Sequence, residues 1–298
     1  MSDGVWFFLQ LLVQGFAVGS VYSLVALGFV LIYKASSVIN FAQGELLMLG
    51  AYVCLALIVQ FHLPFWAAFL GTMLFSVLLA LLLERTVLRP LIGEPVISII
   101  MATIGLSAVF KSATSAIWGT QIRVFPPIFP DVPVLLGKVV LSQVYIYTFI
   151  AAMLLMVAFA LFFKFTRLGV AMRATANSHE VALSMGISVK RIFAISWCVS
   201  AIVSAIGGIL IGNINGVNIT FSAVGLKVFP AVILGGLDSI PGAVLGGLII
   251  GVLENLSGGY LDRVFGGGVK EVAPFVFLVV ILMIKPYGLF GTKEIERV

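Results

Sequence analysis

The chain has 298 residues, of which 61% are hydrophobic and 10% are charged, with a formal net charge of +5 and a mean hydropathy of +1.22. A soluble domain is about 45–50% apolar and about 25% charged, so this composition excludes a soluble enzyme, a disordered chain and a nucleic-acid-binding protein. We therefore predict an integral membrane protein whose outer surface contacts lipid.

The apolar residues come in unbroken runs, and each run is close to the ~20 residues with which a helix crosses ~30 Å of hydrocarbon. A membrane β-barrel would instead alternate apolar and polar residues. We predict an all-α, polytopic membrane protein, a single transmembrane domain over 1–298, with eight or nine crossings that include broken or half helices. The first span is expected to be retained, because no cleavable signal peptide is visible. The predicted spans are 5–33, 44–61, 64–83, 95–118, 143–163, 194–212, 224–237, 241–256 and 272–285.

Lysine and arginine accumulate on the cytoplasmic side of membrane proteins. If the long loop 164–193 lies inside, alternation places the first residues outside and the C-terminus in the cytoplasm. The inner cations are then Lys34, Arg85, Arg89, Lys164, Arg167, Arg173, Lys190, Arg191, Lys285, Lys293 and Arg297. The outer cations are Arg123, Lys138, Lys227, Arg263 and Lys270.

Three polar residues lie at the start of the second span. Asn40 followed by Gln43 is typical of a capping box, and Glu45 falls in the first turn, where the helix dipole favours a carboxylate. Helix starts within a membrane recur at substrate sites of transporters, because their free N–H groups attract polar cargo. Asn40, Gln43 and Glu45 therefore either belong to a substrate pathway or form a plain helix start near the inner interface.

The fourth span contains an ionisable residue, Lys111. Such a charge costs about 2.5–3.5 kcal/mol at mid-helix and is a functional candidate by default. Thr103, Ser107 and Ser115 lie on the same helix face at four-residue spacing. Either this face lines a pathway or contacts a neighbouring helix, or the Lys111 side chain extends to the outer membrane interface. For Glu254, in the eighth span, we predict a packing or interface role near an outer helix end.

Two loops differ in character. The outer segment 119–142 is rich in proline, which favours an extended path, and it is either a connector or a docking surface. Its prolines are Pro126, Pro127, Pro130 and Pro133. The inner loop 164–193 is predicted to contain an amphipathic helix over 171–185 that ends at Gly186 as a C-cap glycine, with one face formed by Ala174, Val181, Ala182 and Met185.

Glu180, Ala182 and Gly186 approximate the E-A-A-x-x-x-G pattern with which importer permeases contact an ATPase. A partner that holds such a helix would move the flanking spans. The alternative is an ordinary amphipathic surface helix.

Glycines mark a helix break near the C-terminal third. Gly235, Gly236 and Asp238 end one helix or half-helix, and Pro241 fits the first turn of the next. Small residues four apart then permit close helix contact, within the chain or against a second subunit. These glycines are Gly242/Gly246 and Gly247/Gly251, with the same spacing at Gly15/Gly19 and Gly208/Gly212/Gly216.

Patterns for other chemistry are missing from the sequence. The run that most resembles a phosphate loop has Phe110 where the second glycine is required. The two histidines, His62 and His179, are isolated, and no close pair of carboxylates suggests catalysis. We therefore expect no bound ATP, no metal and no catalytic residue in this chain.

Taken in order, five segments resemble the permease subunits of branched-chain amino acid ABC importers, and the chain is similar to the shorter of the two paralogous permeases. The segments are V-I-N-F-A-Q-G-E at 38–45, R-A-T-A-N at 173–177 with M-G-I at 185–187, G-L-K-V-F at 225–229, L-G-G-x-D-S-I-P-G-A ending at Ala243, and K-P-x-G-L-F-G at 285–291. Asp238 departs from the glycine that is frequent in that family.

The resemblance implies an ATP-driven importer in a bacterial inner membrane. Its parts would be a second permease, two cytoplasmic ATP-binding subunits that hold ATP and Mg²⁺, and a periplasmic substrate-binding protein. It also implies that Arg173, Glu180, Ala182, Gly186 and Arg191 couple the chain to the ATPase. Two rival functions remain open, namely the same machine for urea, amides or aromatic acids, and an autonomous secondary transporter or channel.

Overall fold

The computed structural model describes residues 3–36, 38–91, 94–127, 133–136, 139–286 and 288–291. One of the loop prolines, Pro130, and three of the cations given a side of the membrane, Lys138, Lys293 and Arg297, lie outside these residues. The described helices are α1 (Asp3–Ser36), α2 (Gln43–Val59), α3 (Phe65–Leu83), α4 (Val96–Trp118), α5 (Gln143–Phe165), α6 (Arg167–Asn177), α7 (His179–Ser184), α8 (Val189–Asn215), α9 (Ala223–Gly235), α10 (Ile240–Phe265) and α11 (Val269–Ile284).

The helices confirm an all-helical, polytopic membrane protein. Six of them are long and apolar enough to cross a bilayer, namely α1, α3, α4, α5, α8 and α10. The apolar helices α2 and α9 are shorter, and a 3₁₀ turn at Ile219–Ser222 precedes α9. α9 contains Pro230 and has 13 residues, in agreement with the predicted short seventh segment.

One departure from the all-α expectation is a small antiparallel hairpin in the proline-rich segment. Strand β1 (Pro133–Leu136) pairs with β2 (Val139–Ser142), so that Pro133 lies opposite Ser142. Valine fits a pleated strand, and proline is tolerated at the first strand position. The prolines were predicted to favour a simple extended path, and the pairing that gives the hairpin was missed.

The contacts divide the chain into two compact units. The first comprises the described parts of Met1–Val30, Phe129–Met153 and Lys227–Val298. The second comprises the described parts of Leu31–Ile128 and Leu154–Leu226. The single transmembrane domain stays a prediction.

In the first unit, glycines bring α1 and α10 into backbone contact. A Cβ atom on Gly251 would overlap with the backbone of Gly19, and one on Gly247 would overlap with Ser23. The Ser23 hydroxyl donates to the Val244 carbonyl at 2.6 Å, which adds a polar contact between the same helices. The predicted packing role of the small-residue pairs in these two helices is confirmed.

In the second unit, α2 and α8 approach through Gly50 and Gly208. A Cβ atom on Gly208 would overlap with the Leu47 carbonyl, and Gly50 lies against Ala205. An apolar core in the same unit includes the tryptophan of α8. Its buried members are Ile32, Leu46, Ala80, Leu83, Leu88, Trp197 and Ala201.

Candidate functional site

The polar segment before α2 folds into a turn, although not into the predicted capping box. α2 begins at Gln43, its N-cap is Ala42, and no side chain caps it. The Asn40 Oδ1 atom instead accepts the Ala42 N–H at 3.0 Å, two residues on, and Asn40 Nδ2 donates to Gln43 Oε1 at 3.1 Å. The capping-box prediction was wrong because the Asn40 side chain accepts a hydrogen bond from the backbone of its own turn, and the helix begins only at Gln43.

Gln43 anchors this turn to α8. Its Nε2 atom donates to Ser204 Oγ at 2.6 Å and to Ser200 Oγ at 2.9 Å, and all three side chains are buried. The Phe41 N–H donates to Thr103 Oγ1 of α4 at 3.3 Å. Asn40 and Gln43 therefore position the start of α2, and they do not line the cavity beside it.

Gly44 lets the first turn of α2 lie directly on the 3₁₀ turn before α9. A Cβ atom on Gly44 would overlap with the Ser222 carbonyl oxygen and would lie 3.1 Å from the Gly225 Cα atom. Only a glycine permits this approach of two backbones. The contact places the neighbouring Glu45 carboxylate next to Ser222.

A cavity of about 310 Å³ opens beside this contact. Glu45 lies in its wall and is 6% exposed, whereas Lys111 of α4 is exposed. The hydroxyls of Ser107 and Ser222 face the Glu45 carboxylate, and Lys111 acts on it electrostatically. The structure thus brings three of the five predicted pathway residues together, namely Glu45, Ser107 and Lys111. The complete lining is Phe41, Gly44, Glu45, Ile104, Ser107, Lys111, Ser222, Ala223 and Leu226.

The loop after α5 contains two helices rather than the single helix predicted over 171–185. Ser178 adopts an extended backbone, ends α6, and accepts the Val181 N–H with its hydroxyl as the cap of α7. A serine that caps the following helix also interrupts the preceding one. The predicted common face is therefore wrong, because Ala182 is buried whereas Val181 and Met185 are 61% and 76% exposed.

The C-terminal glycine of α7 is confirmed. Gly186 has a φ of +79°, its N–H donates to the Leu183 carbonyl at 3.0 Å, and the Ile187 N–H donates to the Ala182 carbonyl at 2.9 Å. These two bonds form a Schellman motif, which requires a left-handed residue at this position. The charged residues predicted to couple this loop, Arg173, Glu180 and Arg191, are exposed.

The predicted break after α9 is also confirmed. α9 ends at Gly235, Gly236 has a φ of +102°, and Ser239 caps α10, which carries Pro241 in its first turn. Asp238 lies in the intervening turn. Cβ atoms on Gly242 and Gly246 would overlap with the carbonyls of Gly235 and Ala231, so both glycines pack on α9.

The segment that closes this break had no predicted role. The Leu289 N–H donates to the Leu234 carbonyl at 2.7 Å, and the Phe290 N–H donates to the Gly235 carbonyl at 3.1 Å. These bonds satisfy carbonyls that the end of a helix leaves free. The glycine pattern at 285–291 was a signal for such a turn, since Gly288 has a φ of +76°.

A buried ion-pair network in the first unit was missed. Lys227 Nζ lies 3.1 Å from Glu254 Oε1 and 2.7 Å from Glu271 Oε2, and the Tyr22 hydroxyl donates to Glu254 Oε2 at 2.6 Å. Glu254 is 1% exposed and lies in the middle of α10, so its predicted place near an outer helix end was wrong. Lys227 lies inside α9, within the predicted seventh span, and its count among the outer cations stays a prediction. The signal was an acidic residue in an apolar span.

Comparison with known proteins finds similarity along the whole chain. Residues 11–285 match the family described as branched-chain amino acid transport system, permease component. The chain is 32% identical to the high-affinity branched-chain amino acid transport system permease protein LivH of Escherichia coli K12, over 100% of both chains. It is 33% identical to the corresponding protein BraD of Pseudomonas aeruginosa PAO1, over 99% of both.

A solved structure agrees at the level of the fold. PsaBC from Streptococcus pneumoniae, in complex with Fab, superposes with a TM-score of 0.53 at 16% identity. The superposition covers 94% of this chain and 92% of that one. The likeness supports the helical membrane architecture alone.

Proposed function

Because the chain belongs to the family of branched-chain amino acid transport system permease components, we propose that it forms, with a second permease, the membrane pathway for branched-chain amino acids in an ATP-driven importer. The observation that carries the proposal is the short helix α7 with its C-cap residue, which present Val181, Leu183 and Met185 outward from a charged loop. Apolar side chains exposed in this way are typical of a docking surface.

The pathway would include the cavity beside Glu45. Two opposite charges and two hydroxyl groups line this cavity between apolar helices. The arrangement suits a polar cargo, because charges within a membrane span cost free energy when they lack a polar partner. Glu45, Ser107 and Lys111 would contact the cargo, and Asn40 and Gln43 would hold the helix start in place. The glycine contacts at Gly235, Gly242 and Gly246 would keep the broken helix α9 against α10.

The assembly would contain a second permease, two cytoplasmic ATP-binding subunits and a periplasmic substrate-binding protein, in a bacterial inner membrane. ATP and Mg²⁺ would be held by the partner subunits. The exposure of α4 supports the proposal of a second permease, because this apolar helix buries little of its surface within the chain and exposes Lys111 and Ser112. An exposed mid-helix charge is unfavourable against lipid and acceptable against another subunit.

We propose eight or nine crossings, with the first residues outside and the C-terminus in the cytoplasm. The excess of lysine and arginine in and around the 164–193 loop supports this orientation. A cysteine placed at the exposed Leu183 should react with a membrane-impermeant maleimide in inside-out vesicles and not in intact spheroplasts. Labelling from the periplasmic side would contradict both the orientation and the coupling role.

The coupling proposal predicts the effect of changes at Gly186 in proteoliposomes that contain the whole importer. Wild-type leucine uptake should require ATP and the ATP-binding subunits. Gly186→Arg should reduce the rate of leucine uptake by about 30-fold or more, because a bulky cation beside α7 removes ~2 kcal/mol or more of the free energy of docking. The measurement is the initial rate of radiolabelled leucine uptake, with membrane insertion checked in parallel.

Gly186→Asn is the matched control, because asparagine tolerates the left-handed backbone and no atom lies within 4 Å of the added Cβ. It should retain most of the uptake. Unchanged uptake in Gly186→Arg would contradict the coupling role. Uptake by this chain alone, driven only by a leucine gradient, would instead favour an autonomous transporter.

A further inference from the structure

The cavity beside Glu45 holds two opposite charges that do not pair with each other. Elsewhere in the described part of the chain, buried carboxylates do pair, since Glu84 lies 3.0 Å from Arg89 and Glu254 lies 3.1 Å from Lys227. The described ion pairs within 4.0 Å do not include Glu45 and Lys111, although both side chains line the same cavity. The two charges therefore stand apart across a space that a ligand can enter.

The two charges also differ in depth. Glu45 is almost fully buried in the first turn of α2, with the hydroxyls of Ser107 and Ser222 beside it. A carboxylate and hydroxyl oxygens are acceptors, which suits a group with three N–H donors. Lys111 is exposed and offers only donors, which suits a carboxylate. The cavity thus presents a deep site for an ammonium group and a shallower one for a carboxylate.

The rest of the cavity is apolar and small. Phe41, Ile104 and Leu226 supply its hydrophobic walls, and Gly44 contributes no side chain. Its volume of about 310 Å³ lies at the lower end of the ~300–1,000 Å³ typical of ligand pockets, so a compact molecule is favoured. A neutral amide or urea would fill little of it and would leave both charges uncompensated.

We infer that this cavity binds an aliphatic amino acid as its zwitterion, with the α-ammonium group on Glu45, the α-carboxylate on Lys111 and the side chain against Phe41, Ile104 and Leu226. The inference rests on the proposed transport function and adds to it the charge state and the orientation of the cargo. It also separates this cargo from two of the classes that the sequence left open, because urea and simple amides lack the two charges.

The test pairs two variants with two analogues that each lack one charge. Binding of tritiated leucine is measured on the purified membrane complex of both permeases and both ATP-binding subunits, without the substrate-binding protein. The competitors are leucine, leucinamide, 4-methylpentanoate and urea. Leucinamide lacks the carboxylate charge, and 4-methylpentanoate lacks the ammonium group. In the wild type, each analogue should compete about 10–100-fold more weakly than leucine, and urea should not compete.

Glu45→Gln should weaken the binding of leucine and of leucinamide by about the same 10–100-fold and leave the binding of 4-methylpentanoate unchanged. Lys111→Met should weaken the binding of leucine and of 4-methylpentanoate and leave the binding of leucinamide unchanged. A purely structural role for either residue would shift all three ligands together. Glu94→Gln and Lys285→Met, which alter exposed charges that do not line the cavity, are the matched controls and should bind as the wild type does.

The outcomes separate the inference from the proposed function. If the wild-type importer takes up leucine with ATP but the two variants keep wild-type binding, or lose all three ligands equally, the zwitterion site is wrong and the transport function stands. If the wild type shows no ATP-driven uptake, the proposed function itself fails. Should Glu45→Gln not fold, Lys111→Met carries the test alone, because its side chain is exposed.

Discussion

Replacing Lys227 with methionine is expected to destabilise the protein by about 3–5 kcal/mol. The change leaves the Glu254 carboxylate, 1% exposed in the middle of α10, without its cationic partner. Removing one member of a buried ion pair is costly because an uncompensated charge stays in a medium of low dielectric constant. The free energy of unfolding, measured by SDS titration in mixed micelles, should show the loss.

Two companion variants separate charge from shape. In the double variant Lys227→Met/Glu254→Met no buried charge remains, so most of the stability should return. Glu271→Gln removes a partner that is 63% exposed and should cost at most about 1 kcal/mol. A single Lys227→Met variant as stable as the wild type would show that this network does not hold the first unit together.

Replacing Gly44 with valine should prevent α2 from reaching its position. The new Cβ atom overlaps with the Ser222 carbonyl oxygen. Because the atoms that it meets belong to the backbone, no side-chain rotation relieves the overlap. Overpacking usually costs about 1–3 kcal/mol, and a clash between two backbones is expected at or above the upper limit. Size-exclusion chromatography in detergent should show little monodisperse protein, and uptake should be lost.

Gly105→Val on α4 is the matched control for this variant. It introduces the same side chain in a helix, but no atom lies within 4 Å of the added Cβ. Valine has a slightly better helix propensity than glycine, so stability should change by less than about 1 kcal/mol. Normal folding of Gly44→Val would mean that the contact with the 3₁₀ turn before α9 is not needed.

Features that depend on nearby residues were predictable from the sequence. The apolar runs predicted the positions of the spanning helices, because a backbone in lipid must satisfy its hydrogen bonds within the segment. The turn at Gly186 and the start of α10 near Pro241 were predictable for a similar reason, since each depends on the backbone angles of one residue. Glycine can adopt the left-handed angles of the turn, and the fixed φ of proline suits the first turn of a helix. The family resemblance was visible in short segments that keep their order along the chain.

The tertiary structure alone decided which polar residues meet. Gln43 bonds to Ser200, 157 residues away, and Tyr22 bonds to Glu254 across 232 residues. Glu45 and Lys111 share one cavity only because α2 and α4 lie side by side there. Periodicity shows which residues share a face of one helix, but the partner across that face depends on how helices pack. The chemistry of the site therefore comes from packing, whereas the membrane fold follows from composition and local pattern.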